Sequence, residues 1–228
     1  MPSEFDRFAD DYADLLRDPI RDRFATGSRF FQERKWILIQ DFFHTTGRAT
    51  HGAHWLDIGC GQGQLLRLGR PAFARVAGCD LSAGMLKASQ GIEVRLQTHA
   101  AVLPFADKSF DFVTAVCVYH HVALADRARL TREARRILRP GGIFCLMEHN
   151  PLNPVTRRIV RRAPVDVNAV LLAASEARNW IAEAGLRCLV TWFFLYLPER
   201  LYRSLAPLEG LMKTLPLGGQ YAVFAQKN

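Results

Sequence analysis

The pattern of apolar and polar positions has two textures. Up to about residue 50 the apolar residues recur every three or four positions, through Phe5, Phe8, Tyr12, Leu15 and Leu16 and again through Phe30, Phe31, Trp36, Ile37 and Phe42. That spacing predicts two helices ahead of the first strand. After Gly52 short apolar runs alternate with helical stretches, and strands are predicted over residues 53–58, 75–80, 92–97, 110–118 and 143–148. Such alternation is what a parallel sheet covered on both faces requires, so the chain reads as α/β.

The connections carry their own signals. Between the fourth and fifth strands Leu130, Ala134, Ile137 and Leu138 form one apolar stripe with arginines on the other faces, and Pro140-Gly141-Gly142 is expected to end that helix. Ser175 is expected to cap a helix that buries Ala177, Trp180, Ile181 and Ala184 and stops at Gly185. A sixth strand is predicted over residues 186–197 and a last one over 220–225, antiparallel to the sixth. Between them, residues 198–217 contain three prolines and an apolar helix-like stretch with Leu201, Tyr202, Leu205, Leu208, Leu211 and Met212. Ordinary packing is the expected use of those six, against walling a lipid-like acceptor, resting on a membrane or forming a dimer contact.

Composition narrows the class. A chain of 228 residues with 49% hydrophobic and 23% charged residues has the make-up of a globular protein, without a repeat or low-complexity tract. Residues 1–14 are acidic and aromatic rather than basic and then apolar, and the most apolar run, 188–197, is far shorter than the roughly 18 residues of a membrane span. A cytoplasmic protein is expected. Cys60, Cys79, Cys117, Cys145 and Cys188 form no CxxC pair and sit in or beside apolar runs, so reduced core thiols are expected, and no metal site. The net charge of +8 favours anionic partners without choosing among nucleic acid, phosphorylated metabolites and the membrane face.

The segment carrying the chemistry is Trp55-Leu56-Asp57-Ile58-Gly59-Cys60-Gly61-Gln62-Gly63-Gln64-Leu65-Leu66, an apolar strand running through a glycine turn into a helix. Gly59, Gly61 and Gly63 let a ligand approach bare backbone, and the helix start offers free N–H groups. A dinucleotide-binding G-x-G-x-x-G would place its third glycine at Gln64, and Asp57 would repel a pyrophosphate. A ligand carrying positive charge suits the acid better.

On these residues the chain resembles the class I S-adenosylmethionine-dependent methyltransferases of the small-molecule branch. Asp80 in Val76-Ala77-Gly78-Cys79-Asp80-Leu81-Ser82, the stretch Leu103-Pro104-Phe105 with Asp107, Phe110 and Asp111, and the turn Arg139-Pro140-Gly141-Gly142 follow in the family's order. The resemblance implies a doubly wound, Rossmann-like sheet of seven strands, mostly parallel with an antiparallel last strand, plus N-terminal lid helices. It implies one domain over 1–228, with a lid at 1–50, a cofactor-binding core at 51–150 and acceptor-side insertions at 151–228. It also implies S-adenosylmethionine as cofactor: Asp57 would orient the methionine part, the backbone around Gly59, Cys60, Gly61 and Gly63 would make close contacts, and Asp80 beside Leu81 would accept the ribose hydroxyls. His99 and Ala100, near the adenine, and Cys117 would complete the site, and Tyr12 is either a closing aromatic or a lid-helix core residue.

In-line displacement from a sulfonium needs chiefly alignment of the acceptor. If the acceptor is a hydroxyl, His120, His121 and His149 stand at carboxyl ends of strands, where open sheets bind ligands, and are the candidate bases. Local hydrogen bonding is the plainer role for His120 and His121, and His149, in a polar turn, is the better candidate for substrate contact. Arg157, Arg158, Arg161 and Arg162 cluster after that turn, either as a solvated face or as a binding patch for phosphate. The expected acceptor is a small molecule or a lipid- or glycan-linked group, with peripheral membrane contact left open. A nucleic-acid methyltransferase is the weaker alternative, because Cys117-Val118-Tyr119-His120 is not the tetrapeptide of many base-amine methylating enzymes, and a cofactor-binding protein without methyl transfer is a further one.

Overall fold

The computed structural model describes residues 3–228. A 3-10 turn over Glu4–Phe8 leads to α1 (Tyr12–Leu15), α2 (Pro19–Phe24) and the long α3 (Ser28–Thr45). Then follow β1 (His54–Ile58), α4 (Gln64–Gly69), β2 (Arg75–Asp80), α5 (Ala83–Lys87), β3 (Glu93–Leu96), β4 (Phe110–Val116), α6 (Leu124–Ile137) and β5 (Leu138–His149). The chain ends with α7 (Pro154–Val160), α8 (Ala174–Glu183), β6 (Leu186–Phe194), α9 (Glu199–Met212) and β7 (Gln220–Lys227).

The strands form one sheet in the order β3-β2-β1-β4-β5-β7-β6. The pairs among β1 to β5 are parallel, and β7 inserts antiparallel between β5 and β6. This is the expected doubly wound, Rossmann-like sheet, with β7 also pairing with β5.

Alternation along the strands builds two cores. Leu56, Val113, Phe144, Leu146, Val223 and Ala225 point to the face covered by α6 and α8, while Trp55, Phe112, Cys145, Met147, Ala222 and Phe224 point to the face covered by α3 and α4. The second core is aromatic: Phe42 stacks on Phe224 with ring centroids 4.0 Å apart, and Trp36 stacks on Trp55. Trp55, Phe112 and Phe224 are fully buried, and side chains of this size each remove 150–250 Å² from water.

Several boundaries depart from the expectations. The N-terminal apolar run is a 3-10 turn and a four-residue helix rather than one helix, because Asp6 turns back to cap both its own turn and α5. Helix α6 stops at Ile137, and Pro140-Gly141-Gly142 lies within β5, where the pairing with β4 shifts register. Helix α8 starts at Ala174, so Ser175 is not its cap; Glu176 accepts a hydrogen bond from the Ala173 N–H at 2.6 Å instead. Strand β6 ends at Phe194, because Leu195 adopts a left-handed φ of 62°.

Helix α9 overturns the packing expected of its leucines. Leu201, Leu205, Leu208 and Leu211 are exposed, Leu211 by 83%. The inward side carries Glu209, which pairs with buried Arg34 of α3 and accepts backbone N–H groups of Leu195, Tyr196 and Leu197. Tyr202 packs beneath the same guanidinium. A charge, not an apolar face, fastens this kinked helix to the sheet edge.

Candidate active site

The strand order reverses between β1 and β4, and ligands bind outside the carboxyl ends of strands at such a switch point. A cavity of about 610 Å³ opens there, within the usual range for small-molecule sites. Its floor is the turn after β1. Gly59 and Gly61 adopt left-handed φ values of 65° and 52°. A Cβ on Gly59 would lie 2.4 Å from Val118 Cγ2, whereas a Cβ on Gly61 would meet nothing within 4 Å and would project into open space. Bare backbone at Gly61 is therefore presented to a ligand.

Two carboxylates flank the turn. Asp80 Oδ2 accepts the Gly61 N–H at 2.8 Å and Oδ1 accepts the Ser82 N–H at 2.9 Å, which leaves lone pairs on both oxygens. Burial pushes its pKa up against those bonds. Asp57 is buried and accepts the Thr114 hydroxyl at 2.6 Å. Burial raises its pKa to about 7, although the Thr114 hydrogen bond and the Lys35 charge act the other way. A carboxyl so poised gains from a cationic neighbour.

Tyr12, Asp57, Gly59, Cys60 and Gly61 all line the cavity, as do Asp80, Leu81, Ala100 and Cys117. Gly63 and His99 do not. Gly63, with φ 72°, is the left-handed residue before α4 and lies tight against Ile92 and Ser89. His99 turns back to accept the Ala101 N–H on Nδ1 at 3.1 Å, and its ring is half exposed.

The three candidate histidines come together but differ in access. His121 lines the cavity and meets the Phe5 ring edge-on, with centroids 4.9 Å apart. His120 is buried and turned away from the cavity, its Nδ1 2.6 Å from Glu148 Oε2. Glu148 is fully buried and also accepts the N–H groups of Val118 and Tyr119 on Oε1, at 2.9 and 2.7 Å. Burial opposes the ionised form of each partner, yet Glu148 and Asp166 raise the His120 pKa to about 10 and His120 lowers that of Glu148. His149 lies beside His120, with centroids 5.2 Å apart. Burial and the His120 charge lower its pKa to about 4, and the Gln220 amide donates to its Nδ1 at 3.4 Å. The four arginines from Arg157 to Arg162 are exposed, none lines the cavity, and Arg162 pairs with Asp18 at 3.0 Å.

Lys35 and Asp166 carry no sequence signal, and Cys117 shows a backbone strain that the sequence does not announce. Lys35 reads as a polar position of α3, but it is buried, lines the cavity and lies 3.8 Å from Cys117 Sγ. Cys117 holds a left-handed φ of 56°, a costly conformation for a side-chain-bearing residue, where β4 gives way to the cavity wall. Asp166, in the stretch after α7, reaches back to His120 and His121.

Comparison with known proteins agrees with this geometry. Residues 56–146 match the model of the methyltransferase domain. Over that stretch the chain is similar to a methyltransferase domain, and its sheet has the class I methyltransferase fold. The cofactor of that domain is S-adenosylmethionine, and the residues here fit it: an open bare-backbone turn, a buried acid on β1 and an acid with free lone pairs on β2. The chain is 34% identical over 155 residues to a ubiquinone/menaquinone biosynthesis C-methyltransferase of Hahella chejuensis, covering 58% of this chain and 59% of that protein. It is 38% identical over 141 residues to a malonyl-[acyl-carrier protein] O-methyltransferase of Dechloromonas aromatica, covering 58% and 51%. The fold is that of a SAM-dependent methyltransferase from Archaeoglobus fulgidus, with a TM-score of 0.67 at 20% identity over 90% of this chain and 97% of that one. The chain spans under two thirds of the length of the curated relatives it matches, from 24% to 62%. Among the described residues no helix is long and apolar enough to cross a membrane.

Proposed function

We propose that this protein transfers the methyl group of S-adenosylmethionine to a small-molecule or lipid-like acceptor that enters the cavity from the side of His121. The observation that carries this reading is the open backbone at Gly61 between Asp57 and Asp80 in a cavity of about 610 Å³. When bound, the cofactor supplies an electrophilic methyl on a sulfonium with its own leaving group. The chain's work is then to bind, align and exclude water. Asp57 and Asp80 hold the two polar ends, while Phe5, Tyr12 and Val122 line the same cavity and limit water. His121 is the cavity-facing side chain suited to contact an acceptor.

The names of two relatives favour a small acceptor, one a quinone-biosynthesis enzyme and the other acting on malonyl-[acyl-carrier protein], whereas a bovine relative is named a probable tRNA methyltransferase. The exposed arginines outside the cavity weigh against their binding the acceptor's reacting end. The test is calorimetry with S-adenosylmethionine, followed by profiling of cell extract with methyl-labelled cofactor for native protein and Asp57→Ala. One bound equivalent and a labelled small metabolite or lipid present only with native protein are expected. Label in RNA, or no binding, would refute the reading.

A further inference from the structure

Three donor atoms converge beside the cavity. His120 and His121 belong to the 3-10 turn Tyr119–His121 after β4, and Asp166 ends a second such turn, Pro164–Asp166. Asp166 Oδ1 lies 3.5 Å from His120 Nε2 and 3.3 Å from His121 Nε2, and one ligand atom of each residue falls within 4.8 Å of the others. Both separations are long for an N–H···O hydrogen bond. The two Asp166 separations match the spacing of neighbouring ligands on one ion, since donors about 2.1 Å from a metal stand roughly 3.0 Å apart at a right angle and roughly 3.4 Å apart at the tetrahedral angle, and the two imidazoles lie side by side with ring centroids 4.1 Å apart.

The surroundings are those of a built site. A carboxylate behind a ligating histidine fixes its tautomer and its orientation, and Glu148 does this for His120 by engaging Nδ1 at 2.6 Å, which leaves Nε2 facing Asp166. Glu148 is in turn fixed by two backbone N–H groups. The Phe5 ring packs against the second imidazole. Two imidazoles and a carboxylate suit first-row divalent ions rather than magnesium or calcium, which take oxygen ligands.

We propose that His120 Nε2, His121 Nε2 and Asp166 Oδ1 form a three-ligand site for a first-row divalent metal ion of the zinc or cobalt type, with Glu148 orienting His120. The ion displaces the proton that His120 Nε2 carries in the metal-free protein, and three protein ligands leave coordination positions open, as in catalytic rather than structural zinc sites. His121 borders the cofactor cavity, so an acceptor hydroxyl or carboxylate there is the ligand such an ion would take, and the ion would polarise it as a Lewis acid.

The test uses the full chain, stripped with a chelator and titrated with Co²⁺ and separately with Zn²⁺, without cofactor or acceptor. Calorimetry and the visible absorption of cobalt are expected to show one equivalent bound with a dissociation constant of roughly micromolar or tighter. His121→Ala and Asp166→Asn are expected to weaken binding at least tenfold, and His44→Ala, remote and exposed, to leave it unchanged. No stoichiometric uptake, or the same affinity in folded His121→Ala and Asp166→Asn, would overturn the site and leave a hydrogen-bonded cluster only. If either variant loses its folded circular dichroism spectrum, nitrogen-15 NMR of the native protein decides. Zn²⁺ must then shift the Nε2 signals of His120 and His121 but not of His44, and unshifted signals reject the site. Because no cofactor is present, failure here leaves the methyl-transfer reading standing.

Discussion

Gly59→Ala and Gly61→Ala separate what the turn does for the fold from what it does for the ligand. Both residues have left-handed φ values, 65° and 52°, so an alanine at either costs about 1–2 kcal/mol in backbone strain. The loss of unfolded-chain freedom returns about 0.4–1 kcal/mol. At Gly59 the new methyl also lands 2.4 Å from Val118 Cγ2, and overpacking of that kind costs about 1–3 kcal/mol. The sum is about 1–4.6 kcal/mol lost by Gly59→Ala and at most about 1.6 kcal/mol by Gly61→Ala.

Binding should rank the two differently. The Gly61 methyl meets nothing within 4 Å because it projects into the cavity, so its effect falls on the ligand. A displacement worth about 1.4–3 kcal/mol there weakens cofactor affinity roughly ten- to a hundredfold. The assays are urea unfolding followed by circular dichroism and calorimetric titration with S-adenosylmethionine. Gly59→Ala should have the lower unfolding midpoint, and Gly61→Ala should keep most of its stability while losing affinity. Unchanged affinity in folded Gly61→Ala would refute the claim that the ligand lies on this backbone.

Other expectations follow from the same geometry. Asp80→Ala removes the acceptor of charge-assisted hydrogen bonds worth about 1.5–3 kcal/mol, so calorimetry should show cofactor affinity falling roughly ten- to a hundredfold. Asp57 has a folded pKa of about 7, above its unfolded value of 3.8, so the unliganded protein holds the extra proton between those values. Its contribution to stability is therefore full below about pH 4 and lost as pH rises through 7, and unfolding midpoints of Asp57→Asn should lack that decline. A cationic ligand keeps Asp57 ionised, so binding at pH 6 should release a proton and affinity should rise toward pH 7 and then level. Calorimetry in buffers of different ionisation heat reads this, and equal heats would contradict it. Glu209→Ala leaves the buried Arg34 charge without its partner and should cost about 3–5 kcal/mol in chemical denaturation.

What the sequence made legible is what local chemistry dictates. The β1 run with its glycine turn and the acid ending β2 sit together in chain order, and each feature is a local demand: an apolar strand, positive φ, a carboxylate at a strand end. Gly63 and His99 stand outside the cavity lining for reasons that local spacing does not show. Their spacing is right, but Gly63 answers to the packing of Ile92 and His99 folds onto the Ala101 N–H. Helix α9 departs from the inward orientation its apolar positions predict, because the interaction that fixes it is the Arg34–Glu209 pair between residues far apart in the chain.

The acceptor side lay beyond such reading because its determinants are non-local and charged. Glu148 ends a core strand with no exposed surface, and a carboxylate there is tolerable only if every lone pair has a partner. The backbone of Val118 and Tyr119 supplies two partners and His120 the third, which forces the His120 ring inward and leaves its neighbour His121 facing the cavity. The division of labour between two adjacent histidines is thus set by one buried acid about thirty residues later, and Asp166 draws both rings together from a separate turn. Glu148→Gln should disturb this order even though it never touches the cavity. The amide cannot accept as an ion, so the His120 pKa should fall, with Asp166 alone left to raise it, and in the metal-free protein the His120 ring signals in NMR should titrate at lower pH than in the native chain. An unaltered His120 titration would show that Glu148 does not govern the pair.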